Sequence, residues 1–162
     1  MPLALRIKQA ALAGCLLPYL LLAMSFAMFD ADPLKPGLRV LVVDGHADSR
    51  FLLTTLFELY GVQTTTAACV REAIDSLHQS FPDLLISELL LPGEDGYALI
   101  SKVKILEALY QVQLPAIALT VCTTERDQIH ALTAGFCRHL AKPLDIDELL
   151  TTIAGLTASA TV

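Results

Sequence analysis

The amino-acid sequence predicts an α/β fold, a doubly wound five-stranded parallel sheet of (βα)5 type preceded by an apolar N-terminal segment. Three observations carry that prediction. From Leu38 onward, short runs of aliphatic and β-branched residues alternate with stretches of helical length and amphipathic period. The strand candidates are mostly apolar along their length, as strands covered on both faces must be. The chain has 162 residues, 54% hydrophobic and 17% charged, which is the make-up of one core-bearing unit and not of a disordered protein.

The elements follow in order. Leu34–Gly37, LKPG, reads as a linker, so the organisation is 1–37 for the apolar segment and linker, 38–158 for the folded domain and 159–162 for a tail. The first strand is predicted over Arg39–Val43. A helix over Asp48–Tyr60 places Phe51, Leu52, Thr55, Leu56 and Leu59 on one stripe. Val62–Ala67 is the second strand. Val70–Ser80 is the second helix, with Val70, Ala73, Ile74 and Leu77 inward. Leu84–Ser87 is the third strand, and Pro92-Gly93 with Asp95-Gly96 forms the turn that delivers a helix over Tyr97–Tyr110. Ala116–Thr120 and Arg138–Ala141 complete the strands. The last helices, Thr124–Ala134 and Asp145–Leu156, open on capping-box patterns, Thr124 with Asp127 and Asp145 with Glu148. Consecutive βα units joined by right-handed crossovers give a parallel sheet with helices on both faces.

The segment Ala10–Phe29 is 20 residues without a charge, long enough to cross a bilayer as a helix. Arg6 and Lys8 precede it, so a spanning helix would leave the N-terminus inside and export the domain. Other readings of these residues are a signal peptide cleaved after Ala27, a lipoprotein box at Leu12-Ala13-Gly14-Cys15, a helix buried against protein, and a true start at Met24 or Met28. Pro18 would kink a helix here.

Eleven Lys and Arg against 17 Asp and Glu give a net charge of -6, and no basic cluster offers phosphates a stripe, which argues against a nucleic-acid partner. The four cysteines, Cys15, Cys69, Cys122 and Cys137, have no CxxC spacing and read as reduced thiols.

In a parallel sheet of this kind chemistry belongs at the carboxyl ends of the strands. There the sequence places Asp44-Gly45-His46 after the first strand, Glu88 after the third, Thr120-Val121 at the fourth and Lys142-Pro143 after the fifth. Two carboxylates, a hydroxyl and an ammonium converge on one rim, a set able to meet a cation or an anion. His46 is a candidate metal ligand and Cys122 a candidate redox group, although a solvated loop histidine and an inert thiol are the commoner fates of such residues.

These motifs, LRVLVVD at 38–44, PDLLISELLLPGEDGYALI at 82–100, PAIALT at 115–120 and AGFCRHLAKPLDIDELL at 134–150, resemble the receiver domain of two-component response regulators over Leu38 to Leu156. The resemblance implies a flavodoxin-like fold and a place in phosphorelay signal transduction. In that family an aspartate after strand three accepts a phosphoryl group from a histidine kinase or phosphotransfer protein, with Mg2+ held by that aspartate and two acids after strand one. Asp44 matches the first acid, and Thr120 and Lys142 match the hydroxyl and lysine that contact the phosphoryl oxygens. His139 stands at the switch position, three residues before the lysine, where the family has an aromatic.

Two positions depart from the pattern. Gly45 replaces the second acid and Glu88 the phosphoacceptor, so the resemblance implies a weak Mg2+ site at best, made of Asp44, Glu88 and a carbonyl near Leu90. Both changes work against in-line phosphoryl transfer, which needs metal and positioning. The additional methylene of Glu88 is expected to push its carboxylate outward, within reach of Lys142 and Thr120, as an imperfect mimic of a phosphorylated aspartate. The expectation is a degenerate, pseudo-receiver variant, not an enzyme and with no required cofactor. It would act through a protein partner on the 124–156 face or the 48–60 helix, by contact with a sensor kinase or phosphotransfer protein or as a homodimer. A functional phosphoacceptor is the alternative, and a membrane-anchored or exported scaffold the second alternative. The implied location is cytoplasmic, with membrane contact through 10–29 as a further option.

Overall fold

A computed structural model describes residues 33–158; the segment at 10–29 and the tail at 159–162 lie outside the described residues. Five strands, β1 (Arg39–Val43), β2 (Gln63–Ala67), β3 (Leu84–Ser87), β4 (Ala116–Thr120) and β5 (Arg138–Ala141), alternate with five helices. These are α1 (Ala47–Leu59), α2 (Val70–Gln79), α3 (Gly96–Tyr110), α4 (Glu125–Ala134) and α5 (Ile146–Ala158). All strand pairs are parallel and the order is β2-β1-β3-β4-β5. Every predicted element is present, with ends moved by one or two residues.

Alternation along the central strands divides the core. Val40 and Val42 of β1 face a layer containing Leu53, Leu56 and Phe57 of α1 and Leu149, Leu150 and Ile153 of α5. Leu41 and Val43 face the other layer, with Val70, Ala73 and Leu77 of α2, Leu99, Ile100 and Val103 of α3, and Ala131 of α4. Burying each such Leu or Val contributes about 1.5–3 kcal/mol, so the central strands are the most firmly held part of the fold. The edge strands differ from the expectation of apolar runs: β2 reads Gln-Thr-Thr-Thr-Ala with only Ala67 buried, and β5 buries only Leu140. Lying at the sheet's margins, they are not covered on both faces.

The first helix corrects the predicted stripe. Its buried residues are Leu53, Leu56 and Phe57, continued by Tyr60, while Phe51 is 51% exposed and Leu52 and Leu59 are half-buried. The segment is apolar on more than one face, so periodicity alone permits two neighbouring stripes; packing on the sheet selects 53, 56, 57 and 60. The linker reading of Leu34–Gly37 is corrected as well. Leu34 is only 2% exposed in the α1/α5 layer, and the Gly37 N–H donates to the Gly61 carbonyl at 3.0 Å, so these residues pack onto the domain. Among the described residues no helix is long and apolar enough to cross a membrane.

Candidate functional site

Register brings the site together. Val43 pairs with Ser87, and Thr120 pairs with Ala141, so Asp44, Glu88 and Lys142 each lie one residue beyond the end of its strand on a common rim. Backbone bonds extend the ladder past those ends: Asp44 N–H to the Ala67 carbonyl at 3.1 Å, Glu88 N–H to the Val43 carbonyl at 2.9 Å, and Lys142 N–H to the Thr120 carbonyl at 2.8 Å. The Lys142–Pro143 peptide bond that follows is cis.

The side chains form a closed ionic cluster. Lys142 Nζ lies 2.7 Å from Asp44 Oδ2 and 2.9 Å from Glu88 Oε2. Both carboxylates are buried, at 4% and 3% side-chain exposure, and the lysine is 18% exposed. Asp44 Oδ1 accepts from the His46 backbone N–H at 2.8 Å, with His46 Nδ1 at 3.3 Å. Burial alone would raise the Asp44 pKa; the hydrogen bond from Lys142, the His46 N–H and the charge of Lys142 outweigh it and hold the carboxyl below its ordinary 3.8. Burial likewise opposes the ammonium, and the hydrogen bonds to Asp44 and Glu88 with their charges outweigh it, raising Lys142 above 10.5.

Glu88 does not project outward as expected. Its Oε1 turns back to accept from the N–H groups of Leu89, at 2.7 Å, and Leu90, at 3.2 Å. The longer side chain has enough reach to cap its own following backbone, which a strand-end carboxylate satisfies at little conformational cost. Thr120 is fully buried, and its Oγ1 accepts from the Cys122 N–H at 3.1 Å; no hydrogen bond joins that hydroxyl to the side chain of Glu88 or Lys142. The predicted reach of Glu88 to Thr120 is therefore corrected. His139 is half-buried and its Nε2 donates to the Cys122 carbonyl at 2.7 Å, which ties β5 to the loop after β4. The His46 side chain is 78% exposed and Cys122 is half-buried.

Four positioning residues had no role at the site in the sequence reading, and two of them, Pro92 and Gly96, were named only as parts of the turn before the third helix. Arg50 on α1 donates from a guanidinium nitrogen to the Asp44 carbonyl at 2.6 Å. The buried Ser87 hydroxyl donates to the Glu88 carbonyl at 2.8 Å. Gly96, the first residue of α3, leaves no room for a side chain, since a Cβ there would stand 2.7 Å from the Glu88 carbonyl oxygen and 2.9 Å from Leu89 Cα. Its place just inside a helix, where glycine is otherwise costly, is the signal that would have found it. Pro92 is the fourth: a Cβ on Gly45 would lie 2.9 Å from its Cδ, so the loop before α3 closes over the place of the missing acid.

The donor set suits a hard divalent cation poorly. Such ions take several oxygen ligands, whereas here each carboxylate is shared with Lys142 and with backbone N–H groups. Gly45 supplies no side-chain oxygen, and among the described residues no group of three or more His, Cys, Asp or Glu residues is arranged to hold a metal.

Comparison with known proteins places this geometry in context. Residues 40–154 match the family described as the response regulator receiver domain. The chain is 40% identical over 111 residues to an uncharacterized 14.6 kDa protein in the sodA1 3' region of Leptolyngbya boryana, covering 68% of this chain and 83% of that protein. It is 35% identical over 111 residues to response regulator SaeR of Staphylococcus epidermidis, covering 68% of this chain but 46% of SaeR, so it spans about half the length of that relative. Its fold is similar to the receiver domain of Saccharomyces cerevisiae Ssk1, solved with the histidine phosphotransfer protein Ypd1. That match has a TM-score of 0.74 at 19% identity, over 80% of this chain and 94% of that one.

Proposed function

The chain belongs to the response regulator receiver family of two-component signalling, and from that premise we propose that it is a receiver whose acceptor position is closed by an internal ion pair and which works by phosphorylation-independent protein contact. The observation that carries this reading is the occupancy of the Glu88 carboxylate. Lys142 lies on one oxygen, and the Leu89 and Leu90 N–H groups lie on the other, at 4% residue exposure. A nucleophile for phosphoryl transfer needs a free lone pair in line with phosphorus and a cation to neutralise the developing charge. Here the charge that would meet an incoming phosphoryl group is already spent on Glu88 and Asp44. On this reading the domain needs no Mg2+, catalyses no turnover of its own, and presents one fixed surface.

The partner surfaces are the face made of α4, β5 and α5 and the exposed side of α1, where Phe51 lies open. A phosphotransfer protein or sensor kinase is the class of partner, as the Ssk1 receiver is seen with Ypd1, and the compartment is the cytoplasm, where such partners work. The test is incubation of the full chain with acetyl phosphate or phosphoramidate and Mg2+, read by intact mass, beside binding to a histidine phosphotransfer protein with and without the phosphodonor. Negligible labelling with binding unchanged by the donor is the expected result. Stoichiometric labelling, or binding that appears only with the donor, overturns the proposal.

A further inference from the structure

At the amino rim of the sheet, the end away from Asp44, Glu88 and Lys142, a cleft of about 240 Å³ opens between the amino halves of β1 and β2 and the last turn of α2. It is smaller than the roughly 300–1,000 Å³ of sites that hold drug-sized molecules, so it suits a small occupant. Gln63 and Thr65 line the strand wall, on the side of the sheet that α2 covers, and Ser76, Gln79 and Ser80 line the helix wall. Among the described residues, the side chains of Gln63, Thr65, Ser76 and Gln79 make no hydrogen bond to the protein, and the Ser80 hydroxyl has only Arg39 Nη1, at 3.5 Å. The walls are nevertheless fixed. Arg39 N–H donates to Asp83 Oδ2 at 2.9 Å, Asp83 N–H to the Arg39 carbonyl at 2.8 Å, and Ser80 N–H to the Ser76 carbonyl at 3.0 Å.

We propose that this cleft binds a small neutral ring bearing several hydroxyls, of the monosaccharide or cyclitol class. Charge excludes the ionic alternatives. The Arg39 guanidinium is matched to Asp83, with Nη2 at 3.0 Å from Oδ1 and Nε at 3.4 Å from Oδ2, so neither an anion nor a cation meets a free countercharge. The carboxyl end of α2 adds partial negative charge, which disfavours an anion further. The five hydroxyl and amide side chains of the two walls both donate and accept, as a ligand hydroxyl does. A ring with hydroxyls around its rim can therefore be met from the strand wall and the helix wall together. Leu41, Phe81 and Pro82 complete the lining and offer its C–H face an apolar surface. The site stands apart from the ionic cluster, and it holds whether or not Glu88 accepts a phosphoryl group.

The test titrates the isotope-labelled full chain with D-glucose, D-ribose and myo-inositol in turn, read by backbone amide chemical shifts, with sodium acetate and methylammonium chloride as charged controls. At least one ring compound is expected to shift the amides of residues 63–65 and 76–82 saturably, with a Kd on the order of 1 mM for so few ligand atoms, while both controls leave them in place. Gln63→Ala with Gln79→Ala alters two exposed side chains and is expected to weaken binding about tenfold with an unchanged melt. Thr65→Val, which keeps the shape of the strand residue and removes its hydroxyl, should weaken binding in the same direction. Three results overturn the proposal: no saturable shift from any of the three rings, shifts of equal size from either charged control, or undiminished binding in both variants. Weak linear shifts spread over the whole domain, the mark of polyols excluded from a protein surface, count as absence of binding.

Discussion

Lys142→Ala is the most informative single change, because one ammonium serves two buried carboxylates. Its removal orphans Asp44 Oδ2 and Glu88 Oε2 together, while Asp44 Oδ1 keeps the His46 N–H and Glu88 Oε1 keeps the Leu89 and Leu90 N–H groups. Breaking a buried pair from one side costs about 3–5 kcal/mol; the retained backbone donors place the expected loss near the low end, about 3 kcal/mol. Glu88→Gln is milder because Asp44 still pairs the lysine, but it is not silent. Both carboxylate oxygens accept hydrogen bonds, so an amide must turn its NH2 toward a donor, at about 1–2 kcal/mol.

The pH dependence adds a second reading. In the wild type the lowered Asp44 pKa contributes stability that is present above the unfolded value and lost as pH falls through the folded one, below 3.8. The raised Lys142 pKa contributes stability present below the unfolded value and lost as pH rises through the folded one, above 10.5. Between them the contribution is flat. In Lys142→Ala two facing carboxylates share a raised pKa, so the variant loses stability as pH rises and its deficit widens from pH 5 to pH 8. Urea melts followed by circular dichroism at both pH values measure this. Equal losses for the two variants, or a deficit independent of pH, would refute the account of the cluster.

Glu88→Asp alone is expected to leave phosphodonor labelling low, since no second acid is restored. Gly45→Asp with Glu88→Asp should recover only part of it, because the new Cβ meets Pro92 Cδ at 2.9 Å; adding Pro92→Ala should raise labelling further, as intact mass will show. Gly96→Ala drives a Cβ into the Glu88 carbonyl and Leu89 Cα and is expected to cost about 1–3 kcal/mol in a denaturant melt. On α1, Phe57→Ala, at 0% exposure, should cost about 3–5 kcal/mol, whereas Phe51→Ala should stay within about 0.5 kcal/mol while weakening any partner that docks on α1. A chain beginning at Leu34 should melt like the longer one; a start at Leu38 removes a buried leucine and should lose about 2–5 kcal/mol.

The element order, the parallel sheet and the rim residues Asp44, Glu88, Thr120 and Lys142 were legible in the sequence, because strand-length apolar runs and helical periods are local signals and because strand ends in such a sheet face one way. The two capping boxes were legible for the same reason, although only Thr124 and Asp127 are seen to make both reciprocal bonds. Which of two overlapping apolar stripes on α1 faces inward was not, since that choice depends on the surface the helix packs against. Tertiary structure alone decided where the Glu88 carboxylate goes. Its chain length permits both an outward reach toward Thr120 and a turn back onto the Leu89 and Leu90 N–H groups, and only the placement of Lys142, Gly96 and Ser87 around strand β3 selects the second. Pro92 over Gly45 and Lys142 on Asp44 belong to the same class. Contacts between residues distant in the chain leave no periodic trace in it, because they are fixed by how the layers pack and not by what neighbours what along the backbone.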